Sequence, residues 1–536
     1  MAPLASWLPI LSSTILAITV CCTLSITAAV LYTVLLVPYQ HWAFLRKQGL
    51  RGPPFRPVLG QLPELRASVR RRAADPKYAA RVAAIAEDDI ALYGKVCISQ
   101  MLGPDVRLVL ADPAAIKEVL GSKAHAFAKP PDVSRDFLEP LGPTGLILSD
   151  GVRWAASKKM LNPAFYHERI KAMSHTMTAC TSDAVDRWMK SVATGSQEVD
   201  MYKELSKLSF CVIARTAFGI RDAGTQLIAD QIFTSVERFC GLNVKSVLSG
   251  MAFIGGYRQA RLPTPLNRKI DREARTIRRL GLRLIKPKQA EGPGKANRDN
   301  ILDIMLAYRD EATGAKLTDD QLLDQCMTFL LAGHDTTGAL MTWTLYLLLA
   351  HPDYYKKARD EVLEVLGKCD SDAVPSEALP KLKMLHWILQ ESMRLFPPVP
   401  MMVRKAIKDT QIGDILVPKG LNVAITVYPV HVDKAIWGDD AAEFRPERFA
   451  NGVSGAVKHS AGFIPFSTGP RYCIGQNFAL TEAKIVLAKL LSAFSMDLSP
   501  KYRHVPTSLI SLRPRYGLPV LLTRRAAEQP PKYGGG

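Results

Sequence analysis

The sequence predicts a mainly α domain with a minor β part, carried on one N-terminal membrane helix. Three observations predict it. The N-terminal run is apolar and uncharged, helical spacing of apolar residues dominates from Arg153 to about Ala350, and short strand-like runs are confined to the flanks of that block. At 536 residues, length alone suggests about three domains, but no repeat, Gly/Ser-rich linker or long polar block divides the chain. With 48% hydrophobic and 22% charged residues it can bury a large core, which excludes disordered, collagen-like and polytopic membrane classes. Nine scattered cysteines with no Cys-x-x-Cys pair support neither a zinc ribbon nor a disulfide framework.

The elements follow in order. No Asp, Glu, Lys or Arg precedes Arg46, and Leu8 to Val37 is mostly apolar. As a helix that run can span a hydrocarbon core of roughly 30 Å. Arg46, Lys47, Arg51 and Arg56 follow it, which by the positive-inside rule leaves the C-terminal bulk in the cytosol. A cleaved signal peptide would carry a charged n-region and a shorter apolar stretch. Residues 1–45 are therefore expected to be a single-pass anchor. Residues 46–57, with Gly52-Pro53-Pro54-Phe55-Arg56-Pro57, are expected to be a stiff basic spacer. The globular domain then fills 58–523, and the polar tail 524–536 is expected to be disordered.

Val96-Cys97-Ile98 and Val106–Leu110 read as a small antiparallel sheet. Leu322, Cys326, Phe329 and Leu330, continued by Ala339–Leu349, read as one long apolar helix. A further helix runs from about Leu379 to Phe396 and stops at Pro397-Pro398. Strands return at Ile412–Val417, Val423–Val427 and Leu509–Leu512.

The formal charge is +19, from 69 basic and 50 acidic residues, and suggests an anionic surface or acidic partner. Between Tyr257 and Arg298 there are 13 basic and 3 acidic residues. A solvated helix face is the ordinary reading of such a block. No aromatic interleaving or nucleic-acid module accompanies it, so no nucleic acid is expected as partner. Contact with anionic lipid headgroups suits an anchored chain.

Three constellations carry chemistry. In the run Phe466-Ser467-Thr468-Gly469-Pro470-Arg471-Tyr472-Cys473-Ile474-Gly475, Gly469-Pro470 forces a tight turn before the cysteine. Gly475 lets backbone approach a flat group after it. A helical run from Phe478 to Leu491 follows, so Cys473 stands near a helix N-terminus beside Arg471, a setting that favours a thiolate. A thiolate on such a loop suits haem iron. In the second, Ala332-Gly333-His334-Asp335-Thr336-Thr337 interrupts the long apolar helix with poor helix formers. A Thr hydroxyl bonded back to its own helix is the structural alternative there. In the third, Glu391 and Arg394 share one helix face, and on their own would more often be a surface pair of little worth.

The ten residues from Phe466 to Gly475 resemble the haem-binding loop of the cytochrome P-450 superfamily, the haem-thiolate monooxygenases. The match holds at Phe466, Gly469, Arg471, Cys473 and Gly475. Glu391-Ser392-Met393-Arg394 resembles the family's Glu-x-x-Arg helix. Phe444-Arg445-Pro446-Glu447-Arg448-Phe449 resembles the segment that supplies Arg448 as third member of a buried structural triad. Ala332 to Thr337 is similar to the family's oxygen-binding groove. The resemblance spans residues 40 to about 523, and toward the C-terminus it is greatest to the plant microsomal clan that oxidises hormones and triterpenoids.

The resemblance implies a single cytochrome P-450 fold domain. It implies haem b as cofactor, Cys473 as iron ligand, and cofactor contacts from Trp154, Lys158, Arg404, Phe466, Arg471 and Gly475. The family's Trp-x-x-x-Arg is Trp154-Ala-Ala-Ser-Lys158 here, and lysine lacks the bidentate fork. Gly333 would leave room for dioxygen, Asp335 and Thr336 would relay protons for O–O cleavage, and His334 would take no part. The implied reaction inserts one atom of O2 into a C–H bond of a lipophilic molecule: a terpenoid, sterol, phytohormone or fatty acyl group. Electrons would come from NADPH through a membrane-bound NADPH-cytochrome P-450 reductase at the endoplasmic reticulum. Segments expected to contact substrate are Phe127–Ile147, Phe329–Gly333, Val399–Val403 and Ser508–Leu512. The competing reading is a haem-thiolate isomerase or dehydratase acting on lipid hydroperoxides without O2. The intact Asp335-Thr336 pair argues against it.

Overall fold

A computed structural model of the chain describes residues 8–525, apart from 102–104, 131–141, 194, 221, 249–263, 291–299, 311–312, 368–373 and 509–510. The apolar N-terminal run is one helical rod: α1 (Leu8–Leu31), a π-helical turn (Tyr32–Leu36) and α2 (Val37–Lys47). Ile15, Leu16 and Leu24 face outward, while Thr19, Thr23 and Thr27 donate to carbonyls four residues back. That internal satisfaction of hydroxyls suits a hydrocarbon surrounding, and the rod fits a membrane anchor.

The stiff spacer expected at 46–57 is packed against the globule. Leu45, on α2, is fully buried beside the β-sheet residues, and Trp42 Nε1 donates to the Pro53 carbonyl at 3.1 Å. The Ile98 N–H donates to the Arg51 carbonyl at 2.8 Å, and Gln100 Nε2 donates to the Arg56 carbonyl at 2.8 Å. Even a Cβ on Gly52 would come within 2.5 Å of the Ile98 carbonyl oxygen. A proline-rich stretch has few N–H groups to satisfy, so it lies readily along a sheet edge. The anchor is thus joined to the globule by packing. Of the tail, Arg524 belongs to a strand and Arg525 N–H reaches the Ala493 carbonyl; residues from 526 on lie outside those described.

The strands are β1 (Val96–Gln100), β2 (Val106–Leu110), β3 (Phe127–Ala128), β4 (Gln197–Asp200), β5 (Met401–Ala406), β6 (Thr410–Ile412), β7 (Ile415–Val417), β8 (Asn422–Thr426), β9 (Phe494–Leu498), β10 (Pro506–Ser508), β11 (Leu512–Pro514) and β12 (Pro519–Arg524). β1 and β2 pair antiparallel, as expected, with Ile98 opposite Leu108. They belong to a larger sheet of order β1-β2-β8-β5-β3, in which β2 and β8 run parallel with Leu108 beside Val423. The single strand expected at 412–417 is a hairpin of β6 and β7, because Gly413 adopts a φ of +51°. Of the strand expected at Leu509–Leu512 only Leu512 is in a strand, opening β11 of the β10–β11 hairpin, and 509–510 lie outside the described residues. β4, β12 and β9 form a separate sheet.

The helices that position the site are α3 (Leu62–Ala74), α4 (Gly151–Leu161), α5 (His167–Ser191), α6 (Met201–Phe218), α7 (Ala223–Leu248), α8 (Pro265–Ala290), α9 (Asp319–Ala350), α10 (Lys383–Leu395) and α11 (Gln476–Ala493). α9 opens on a reciprocal cap between Thr318 and Gln321. It is then buried on nearly all sides, as its continuous apolar sequence requires.

α10 places Glu391 and Arg394 at zero exposure. Arg394 gives Glu391 two bonds of 2.7 Å and spends its remaining N–H groups on the carbonyls of His431, Ala441 and Glu443. Arg448 lies 3.5 Å from Glu391, but its closer partner is Asp440 at 2.9 Å, a residue the sequence reading did not name. Replacing Glu391 or Arg394 by Ala leaves a buried charge unpaired. The expected loss is about 3–5 kcal/mol of stability, read as a lowered unfolding midpoint in thermal scans.

Candidate active site

The loop before α11 closes on itself. The Cys473 N–H donates to the Phe466 carbonyl at 2.9 Å, and the Tyr472 N–H to that of Gly469 at 3.2 Å. Gly469 has a φ of +68°, and a Cβ there would lie 2.0 Å from the Leu120 carbonyl oxygen, so only glycine fits. Gly475 is different. Its φ is −87° and its added Cβ would meet only Cys473 Sγ and a Phe165 ring carbon, both at 3.9 Å. Nothing in the protein demands glycine at 475, whereas a flat group lying against this backbone would. Outside the anchor, Cys473 alone among the described cysteines is exposed.

The thiolate expectation needs correction. Burial pushes the Cys473 thiol up, opposed only by a backbone hydrogen bond from Gly475. Arg471 gives no help, because its guanidinium is spent elsewhere. It pairs with Asp150, donates to the Ser149 carbonyl at 2.9 Å and stacks 4.3 Å over Trp154. The sulfur borders accessible surface, yet protein surrounds it on most sides, and those surroundings set its desolvation. Deprotonation therefore falls to a coordinated metal, which ionises a ligating thiol outright.

Around Trp154 stands a cluster of cations. Arg404, from β5, is mostly buried and is pushed down to about 10 by burial and by Arg471. Lys129 is pushed down to about 7 by burial, Arg404 and Arg471. Its Nζ donates to the Ile147 carbonyl, and its own N–H to Asp150 at 3.0 Å. Sequence alone marks Lys129 only as part of the Phe127–Ile147 substrate segment and Asp150 not at all, since each lies outside the chemistry-bearing motifs and is brought in by the chain's path. Among the described residues these three cations share one carboxylate, an arrangement suited to further anions such as the two propionates of haem. Lys158 stands at the edge of this cluster, 5.4 Å over the Trp154 ring, and is pushed down by burial and by Arg471. It donates to the Pro470 carbonyl and sits 4.0 Å over the Tyr472 ring, holding the loop itself.

On α9, the Thr336 hydroxyl donates to the Ala332 carbonyl at 2.7 Å, the structural alternative weighed for it. Its oxygen keeps acceptor capacity. Asp335 is buried and faces Arg513 of β11 at 3.9 Å. Gly333 does not leave room for dioxygen. A Cβ there would lie 2.8 Å from Ile213 Cγ1 of α6, and Gly338 likewise meets Ser206 Cα at 3.1 Å. These glycines let α6 and α9 cross closely. His334 is a core residue, its Nδ1 2.6 Å from the Leu330 carbonyl and its ring edge-on to Phe210 and Phe233.

Together these define a mainly α protein with a cysteine loop at a helix head, a cation cluster suited to a dianionic flat cofactor, and a long helix bearing an acid–hydroxyl pair. The Cytochrome P450 family profile matches residues 91–517. Echinocystic acid 23-monooxygenase of Saponaria officinalis is 35% identical, over 91% of this chain and 94% of its own. 11-oxo-beta-amyrin 30-oxidase of Glycyrrhiza uralensis is 34% identical, over 91% and 94%. The solved cytochrome P450DA heme domain superposes with a TM-score of 0.72 at 24% identity, over 89% of this chain and 98% of its own. The chain belongs to the cytochrome P450 family, within the clan of these plant monooxygenases, and haem is its cofactor.

Two outcomes are expected. Gly333→Val should lower the unfolding midpoint by the equivalent of about 1–3 kcal/mol through overpacking against Ile213, measured by denaturant titration. Haem uptake by apoprotein should weaken as pH rises through about 7, because Lys129 loses its charge there, and Lys129→Arg should flatten that dependence in a haem titration.

Proposed function

We propose that the chain inserts one oxygen atom of O2 into a C–H bond of a lipophilic, triterpenoid-class substrate, the second atom leaving as water with two electrons and two protons consumed. The observation that carries the reading is Cys473 at the head of α11 beside a cation cluster that holds one carboxylate among the described residues. Haem bound through a thiolate supplies the activation of oxygen. Cys473 holds the iron, while Arg404, Arg471 and Lys129 bind the carboxylates and Trp154 stacks on Arg471. Phe466 closes the loop by accepting the Cys473 N–H.

Thr336 offers its oxygen as acceptor while its own hydrogen is held by Ala332, so it can orient a proton donor above the site. Asp335 hands protons inward once it swings from Arg513. The apolar segments Phe329–Gly333 and Val399–Val403 bound the substrate. The names of the two relatives, each a triterpenoid oxidase, support the substrate class. Electrons come from NADPH through a separate acidic reductase. It docks on the face of the exposed Tyr472, where Arg153 and Lys159 are also exposed. The anchor supports a seat in the endoplasmic reticulum membrane with the domain facing the cytosol.

The test is reconstitution with a reductase and a triterpenoid panel. Thr336→Ala should still consume NADPH, yet give less product per NADPH and more hydrogen peroxide. Cys473→Ser should lose the red-shifted Soret band of the reduced CO adduct together with turnover. A Cys473→Ser protein that keeps that band, or product formed without O2, would overturn the reading.

A further inference from the structure

Two cysteines that belong to none of the chemistry-bearing motifs meet between α5 and α6. Cys180 of α5 and Cys211 of α6 bring their sulfurs to 3.7 Å, in contact across the seam of the two helices. Both are free thiols; Cys180 is buried and Cys211 half-buried. Arg215, one turn beyond Cys211, pairs with Asp183 of α5 at 3.0 Å and so lies across the same seam. A cleft of about 640 Å³, lined by Thr176, Ala179, Arg215 and Thr216 among others, opens next to the pair.

An ordinary core cysteine is a small hydrophobe whose thiol burial pushes up, as at Cys97 and Cys240, each raised to about 12. Cys211 goes the other way. Contact with Cys180 lowers its thiol first and the Arg215 guanidinium adds to this, against burial and the carboxylates of Asp183 and Asp230. The same contact raises Cys180. From α11, the Glu482 carboxyl is pushed up to about 8 by burial, so near neutral pH it is mostly uncharged and does little to oppose a thiolate. The pair therefore divides into an attacking thiolate, on the half-buried side, and a protonated partner behind it.

We propose that Cys180 and Cys211 form a reversible redox site at which a peroxide links α5 to α6 through a disulfide. The Cys211 thiolate attacks one peroxide oxygen: the S–O bond forms, the O–O bond breaks, and the leaving hydroxide takes up a proton as water. The Cys180 sulfur then attacks the Cys211 sulfur, forming the S–S bond, and its proton leaves with the hydroxyl as a second water. Each sulfur loses one electron and the peroxide gains two. Hydrogen peroxide that escapes unproductive turnover at the haem is a source within the same molecule, and only that source rests on the reaction proposed above. Cytosolic thiols reverse the step. The linkage bears on α9. Ser209 donates to the Gly333 carbonyl at 3.2 Å, and Ile213 is the side chain that a Cβ on Gly333 would meet. Cys211 lies between these two in the chain, so a bond to α5 acts on the α6 segment that braces the helix bearing Thr336.

The test uses the full holoenzyme, reduced with dithiothreitol, desalted and exposed to a small excess of hydrogen peroxide. Free thiols are then blocked with N-ethylmaleimide and the chain is digested with trypsin. Residues 172–187 and 208–215 should appear in mass spectra joined as one peptide, and dithiothreitol should separate them. In Cys180→Ser the linked peptide should be lost, and Cys211 should instead be trapped by dimedone as a sulfenic acid. Cys211→Ser should give neither product. Arg215→Gln should slow the linkage, because the cation that favours the thiolate is gone. Maleimide on both peptides after peroxide, with no linked peptide, would overturn the inference. So would irreversible oxidation of Cys211 with Cys180 still free. The decisive readout is made on the unaltered chain and involves no substrate or turnover, so the substrate reading stands or falls separately.

Discussion

The buried guanidinium of Arg394 is the contact on which the rest of the architecture leans. Its N–H groups bind one carboxylate on its own helix and three carbonyls from residues 431–443. That stretch has little regular structure, so these bonds give it a shape. His431 carries the constraint onward: its Nδ1 lies 3.2 Å from the Arg394 carbonyl, and its Nε2 accepts the Ile464 N–H at 2.9 Å. Ile464 in turn accepts from Ser467, where the cysteine loop begins. Burial and the neighbouring Arg394 push His431 down to about 3, so Nε2 stays an acceptor throughout the physiological range. An unfolded chain protonates this ring below about 6.5 while the folded one does not, so its contribution is present above that pH and is lost as pH falls toward 3.

What could be read in the sequence followed from local spacing. Glu391 and Arg394 three apart, the length of α9, and the glycines framing Cys473 are all short-range patterns. Partners contributed by distant segments left no such trace. Asp440 beneath Arg448, Asp150 beneath Arg471 and Lys129 beside Arg404 each belong to an unremarkable stretch, and only the fold brings them in. The parallel pairing of β2 with β8 joins segments some three hundred residues apart and is likewise invisible locally. Two misreadings had local causes. Gly52-Pro53-Pro54 resembles a linker by composition, yet the features that suit a linker also suit an edge strap. Gly333 was assigned to the oxygen side of α9, although Ala332, four residues before Thr336, is the position that shares its face.

The positive charge divides into two physically distinct populations. The cations near Cys473 are few, Arg404 buried and Lys129 and Arg471 half-buried, and their pKa values are lowered by desolvation and, for Lys129 and Arg404, by neighbouring cations. The cations on the outer face of α8 are exposed and recur at helical spacing. Net charge alone distinguishes neither from a merely soluble surface; burial and spacing do.

Asp335 links these regions. Its carboxylate is not free above Thr336 but turned to Arg513, which burial opposes and which Tyr202, Asp335, Cys240 and Glu237 hold in its charged form. The Tyr202 hydroxyl beside them is buried without a hydrogen-bond partner, so this corner is less fully satisfied than the Arg394 hub. A satisfied hub beside a looser corner fits the proton role proposed for Asp335: the scaffold that carries the cysteine is fully bonded, while the acid has a partner it can exchange. Arg513 stands on the short β10–β11 hairpin, which α3 touches from the anchor's side through Arg72. The group that holds Asp335 is therefore carried by an element lying between the chain's entry from the membrane and the helix that bears Thr336.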